Sequence, residues 1–305
     1  MIPIAAVIAA ATAIGVGAEH RFADAASRAA GRLMSAVLWV VLPVAAFFNL
    51  AALHFDAGAG AGLAFAYVAV AVTLAIAYAV GTWLLDLPRP WVGALMCVSV
   101  FGNTGYLGLP FNAALFGFDH IGTAVVYDVL ISSSLLVTVG FSIGAGFGTV
   151  ASRARDRVRA FFTRNPPLWA TAAGLIAPQA LAPGWAVDAS RILVFAILPI
   201  GFFAVGVTLS RESEAGAARF PPPLDAPTLA GIALKLLLVP AVLLGLAAAF
   251  GTAVPETYPV QAAMCTGVNT ILIADEYGLE RGLTAAVIAW TTAIVVTAGL
   301  VVALL

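Results

Sequence analysis

Polar residues in this chain do not alternate with apolar ones. They fall in short clusters that separate long apolar runs, which cover roughly residues 1–18, 33–53, 62–85, 91–116, 121–148, 165–182, 188–209, 227–250, 256–277 and 280–304. Each run is close to the ~20 residues a helix needs to cross a bilayer. The pattern predicts an all-α integral membrane protein with ten transmembrane helices, the opening run being a retained span. Two runs are interrupted. In the fourth, Gly102-Asn103-Thr104-Gly105-Tyr106-Leu107-Gly108-Leu109-Pro110 places glycines and a proline in mid-span. The ninth carries Cys265-Thr266-Gly267-Val268-Asn269-Thr270-Ile271. Lipid offers backbone groups no partners, so unwound backbone at that depth faces protein or water.

The two interruptions also match each other. Met96-Cys97 precedes Asn103-Thr104, and Met264-Cys265 precedes Asn269-Thr270. Val41-Leu42-Pro43-Val44 has its counterpart in Ile197-Leu198-Pro199-Ile200. Gly117, Asp119 and Thr123 are answered by Gly278, Glu280 and Thr284. The chain therefore divides into a first five-helix repeat (1–148), a basic cytoplasmic connector (149–164) and a second repeat (165–305). Five spans is an odd number, so the second copy is inverted, and the two interrupted helices should cross at the midplane, where such transporters bind substrate.

Composition agrees: 62% of the residues are hydrophobic and only 10% charged, against about 25% charged in soluble domains. The net charge of −1 and scattered arginines exclude a nucleic-acid face and leave membrane lipid as the surrounding partner. With the N-terminus outside, Arg21, Arg28, Arg32, Arg89, Arg153, Arg155, Arg157, Arg159, Arg164, Arg211, Arg219 and Arg281 all fall in inner loops, and only Arg191 in an outer one. Short-loop arginines stay cytoplasmic, which predicts a multi-pass protein of the cell (inner) membrane with both termini outside. Cys97 and Cys265 lie inside spans and read as packing residues. His20, His54 and His120 lack metal-ligand spacing, no Walker-type loop is present, and no cofactor or metal is implied.

The stretch 102–110, followed by Leu115-Phe116-Gly117, resembles the Asn-Thr…Gly-x-Pro segment of the auxin efflux carrier family. That family includes plant auxin exporters and bacterial carriers often labelled malonate transporters. Asn165-Pro166-Pro167, Leu198-Pro199, Val268-Asn269 and Ala274-Asp275-Glu276-Tyr277-Gly278 are similar to its second half. The resemblance implies a ten-span inverted repeat with two crossing broken helices, and transport of an organic anion. The short connector is like that of bacterial members. The second interruption lacks the proline of the first.

The residues themselves suggest how a carboxylate would be held. Half-helix N-termini favour anions, and Asn103, Thr104, Gly105, Pro110, Asn269 and Thr270 belong to the crossing. Gln261, just before Met264-Cys265, is a further hydrogen-bonding candidate. Ionisable residues inside spans are costly and mark function. Asp128, followed by Ser132-Ser133-Ser134, is the candidate proton-coupling residue, and Lys235 the candidate counter-charge for substrate or for Asp128. The leading reading is a secondary carrier for a small carboxylate, working by alternating access and coupled to a proton or to sodium. Spans 3–5 and 8–10 would move against spans 1–2 and 6–7. A uniporter or anion channel of the same fold is the alternative. An enzyme would need a catalytic cluster that does not stand out. A homodimer is compatible with the sequence.

Overall fold

The computed structural model describes residues 2–52, 57–149, 166–214 and 222–304. The connector arginines from Arg153 to Arg164, with Asn165, His54 and Arg219, lie outside the described residues. The described chain is helical: α1 (Ile2–Phe22), α2 (Asp24–Ala51), α3 (Gly58–Leu84), α4 (Arg89–Val100), α5 (104–116) and α6 (Phe118–Phe147). After the connector come α7 (Pro166–Ile176), α8 (Gly184–Glu214), α9 (Ala226–Ala249), α10 (Thr257–Ala262), α11 (Asn269–Tyr277) and α12 (Arg281–Leu304). Within α2, α3, α6, α9 and α12 lie 5 segments long and apolar enough to cross a membrane. Large apolar side chains such as Trp83, Leu84 and Ile176 lie on the surface, as lipid solvation requires.

Element ends depart from the apolar runs where polar chemistry continues a helix or proline stops one. Helix α2 begins well before residue 33, because the charged stretch Asp24–Ala36 is itself helical. Helix α7 ends at Ile176, short of 182, because Pro178 cannot continue it.

Several helices carry a widened, π-type turn, and three of these share a setting that Pro199, inside the regular helix α8, does not reproduce. Val37–Val41 precedes Pro43, Thr104–Gly108 precedes Pro110, and Leu234–Leu238 precedes Pro240, with the same spacing each time. Proline has no N–H to give the carbonyl four residues back, and its ring crowds that carbonyl, so the preceding turn can widen. Lys235 sits in one of these turns. Asp128 opens another π turn, Asp128–Ser133, that has no such proline behind it.

The helices pack in two groups. In one, α1 lies along α8, α7 along α2, and α2 against α8. In the other, α3, α4, α6, α9 and α12 pack together, with α11 against α6. Gly144 in α6 and Gly148 just after it are where that last contact becomes close. A Cβ on Gly144 would meet the Tyr277 ring, and one on Gly148 the Tyr277 carbonyl. Cys97 and Cys265 are buried free thiols.

Candidate functional site

Both interrupted runs are broken helices, and the breaks meet. Helix α4 ends at Val100 and α5 begins at Thr104, while α10 ends at Ala262 and α11 begins at Asn269. Backbone freed by the two breaks is satisfied reciprocally. Asn103 N–H donates to the Cys265 carbonyl at 2.7 Å, and Gly267 N–H to the Phe101 carbonyl at 2.8 Å. Gly102 and Thr266 thereby form an antiparallel bridge. In an apolar interior this exchange is what makes unwound backbone tolerable.

Polar side chains hold the rest of the crossing. Thr266, in the second break, donates its N–H to Thr291 Oγ1 at 3.1 Å and its hydroxyl to the Val98 carbonyl at 2.8 Å. Thr270 Oγ1 donates to the Gly267 carbonyl at 2.7 Å. Lys235 Nζ donates to the carbonyl of Ala262 at 2.7 Å, filling an acceptor that the end of α10 leaves open. Gln261 Nε2 donates to the carbonyls of Ala124 at 3.0 Å and Thr104 at 3.4 Å. Asn103 caps the first turn after the break, its Oδ1 accepting from Leu107 N–H at 3.2 Å.

A cavity of about 70 Å³ opens beside the crossing. Asn103, Thr104, Tyr106, Asp128, Ser132 and Asn269 line it, with backbone from both breaks. Asp128 is only 6% exposed, and its Oδ1 accepts from the Thr104 hydroxyl at 2.5 Å. The glycines of the first break make room for charge. A Cβ on Gly105 would lie 3.3 Å from both Asp128 oxygens, and one on Gly102 would lie 3.4 Å from Lys235 Nζ. The first break is thus flanked by a carboxylate and an ammonium.

Of the residues singled out in sequence, Asn103, Thr104, Gly105, Asp128 and Asn269 line this cavity. Pro110, Thr270, Gln261 and Lys235 do not; the last three bond the broken backbone around it. Lys235 and Asp128 make no ion pair among the described residues. Sequence reasoning missed Tyr106, although it lies inside the interrupted stretch, and Thr266 and Thr291. The pairing of those two threonines joins distant parts of the chain and leaves no local signature.

Residues 160–302 match the family model described as membrane transport protein. The match spans the second half of the chain and so includes Lys235, Gln261, Asn269 and Thr270, whereas the first break lies outside it. No curated protein matches the chain.

Proposed function

We propose that this chain, whose residues 160–302 match the family model described as membrane transport protein, is a secondary carrier of a small organic anion. It is a multi-pass membrane protein. The reading assigns it ten spans in a five-plus-five inverted repeat, both termini outside, and alternating access. The two packed groups of helices are its natural moving parts. The observation that carries the anion reading is the pair of helix starts at the cavity. Helix α5 begins at Thr104 and α11 at Asn269, both lining residues. The positive dipole ends of the two helices suit a carboxylate, although Thr270 and Ile271 N–H at the start of α11 already donate to the Gly267 and Val268 carbonyls.

Coupling follows from Asp128. An anion entering the same small cavity meets a buried carboxylate, and like charges about 5 Å apart repel by roughly 3 kcal/mol at an effective dielectric of about 20. Protonation of Asp128 removes that repulsion, so the proposed cycle loads a proton with the anion. Ser132 and Ser133 also line the cavity and give oxygen donors beside Asp128, which favours sodium as the alternative coupling ion.

Purified protein in liposomes tests the reading. Saturable uptake with counterflow of a mono- or dicarboxylate is expected, driven by an inward proton gradient and unchanged when choline replaces sodium. Strict sodium dependence would select the sodium alternative. Unitary currents in planar bilayers far above carrier turnover would replace the carrier with a channel.

A further inference from the structure

Besides the crossing cavity there is a larger one, of about 450 Å³, between the two groups of helices. Its walls come from α2 (Ser27, Met34), α8 (Val207, Arg211), α11 (Leu272, Asp275) and the start of α12 (Arg281). Its volume falls in the ordinary range for a small-molecule pocket, about 300–1,000 Å³, which the crossing cavity does not reach. Val268, the residue before α11, lines both cavities.

The larger cavity has a charged end and an apolar middle. Asp275 pairs with Arg281 at 2.8 Å, so these two charges cancel. Arg211 is exposed and donates to the Ser27 hydroxyl at 3.5 Å. That hydroxyl donates in turn to the buried Glu19 carboxylate at 3.2 Å, which does not line the cavity. Arg211 thus faces the cavity without a direct ion pair among the described residues. Helix α11 measures the depth. From Val268 to Asp275 at 1.5 Å per residue is about 10 Å. Along that length the α11 wall is Ile271 and Leu272, without a polar group.

We infer that this cavity is the antechamber of the crossing, and that Val268 is the specificity-determining residue through which a carboxylate passes from one to the other. Arg211 draws the anion to the mouth, the apolar walls offer no competing site, and Val268 sets the width of the passage. Beyond it stand Asn269 and Asn103. The inference rests on the proposed carrier function. It adds a route and a size limit that the crossing alone does not supply. Helix α11 belongs to one packed group and α2 and α8 to the other, so the antechamber lies where relative movement would open or shut it.

Three substitutions at Val268 and one at Arg211 test this in proteoliposomes, with straight-chain mono- and dicarboxylates from acetate to adipate as probes. Val268→Ala should extend uptake to longer acids. Val268→Trp should lower uptake of every acid by about tenfold or more while thermal unfolding stays near wild type. Val268→Cys should react with a membrane-impermeant anionic thiol reagent only from the face bearing Arg211, and a transported acid should protect it. Wild type is the control, since Cys97 and Cys265 are both buried. Arg211→Gln should raise KM several-fold at low ionic strength and less in high salt. Wild-type transport combined with an unreactive Val268→Cys, or with full uptake by Val268→Trp, overturns the antechamber and leaves the carrier standing. Absence of transport of any probe by wild type overturns the carrier reading first.

Discussion

Replacing Asn103 separates two duties that its amide performs at once. Its Oδ1 caps the turn after the first break by accepting from Leu107 N–H at 3.2 Å. Its Nδ2 has no partner among the described residues, and the residue lines the crossing cavity. Asn103→Ala removes both groups. The lost donor to a charged ligand is worth roughly 1.5–3 kcal/mol, or a rise in Kd of about ten- to more than a hundredfold. The lost cap costs about 1 kcal/mol of stability. Asn103→Ser keeps a capping oxygen without the amide donor or a new charge, so it should weaken binding with a smaller fall in unfolding temperature than Asn103→Ala. Asn269 lines the cavity from the other half and makes no side-chain hydrogen bond among the described residues. Asn269→Ala should therefore weaken binding alone. The assay is calorimetric titration of detergent-solubilised protein with an acid that wild type exchanges, run beside thermal unfolding. If both alanine variants bind as tightly as wild type, the crossing is not the substrate site.

Further outcomes follow from the same geometry. Asp128→Asn should abolish uptake driven by a pH gradient while sparing exchange. In wild type anion affinity should rise as pH falls, because protonation takes a negative charge out of the cavity; a pH profile unchanged by the substitution would return Asp128 to a structural role. Cysteines introduced at Asp86 and Arg211 should label from the cytoplasm only, and those at Asp119 and Thr252 from outside only. Labelling of Asp86 and Asp119 from one face would break the inverted topology. Pro110→Ala should change turnover more than affinity, since Pro110 is buried and contributes no group to the cavity. A selective loss of affinity would count against that division.

Much of the fold was legible because lipid imposes a coarse rule. Where apolar residues continue for about a span, a helix follows, and where Gly102 to Gly108 interrupts one, it breaks. The second break was legible without a proline, through Thr266-Gly267 and the Asn-Thr pair that follows. Helix ends were less so. The charged start of α2 reads as loop by hydropathy, yet forms helix because Asp24, Arg28 and Arg32 can remain solvated on one side. At the site, local sequence could nominate Asn103, Asn269 and Asp128 but could not tell lining from support. Gln261 and Lys235 are polar residues in spans like the others, and only tertiary contact shows them holding the carbonyls of Ala124 and Ala262. The reciprocal bonds between the breaks join Asn103 to Cys265 and Gly267 to Phe101. No periodicity encodes a pairing at that separation.

The charges at the crossing are not repeated between the halves, and proline placement explains one of them. Lys235 reaches Ala262 from the π turn Leu234–Leu238, which Pro240 follows. The turn holds one residue more than an α-turn. Removing its cause lets the helix regain i→i−4 bonds, and the change in register rotates residues on its far side by about 100° relative to those beyond Pro240. Pro240→Ala should thus displace Lys235 from the Ala262 carbonyl, although Pro240 lines neither cavity. A buried ammonium that loses its acceptor is costly, so the variant should unfold at lower temperature. Transport should fall with it. Lys235→Met provides the comparison, because it removes the ammonium while leaving the π turn and the packing stem. If the widened turn places the lysine, Pro240→Ala should match Lys235→Met in its loss of transport, and the two together should cost little more than either alone. Full transport by Pro240→Ala beside a dead Lys235→Met would mean that packing around α9, not the proline, sets the position of the charge.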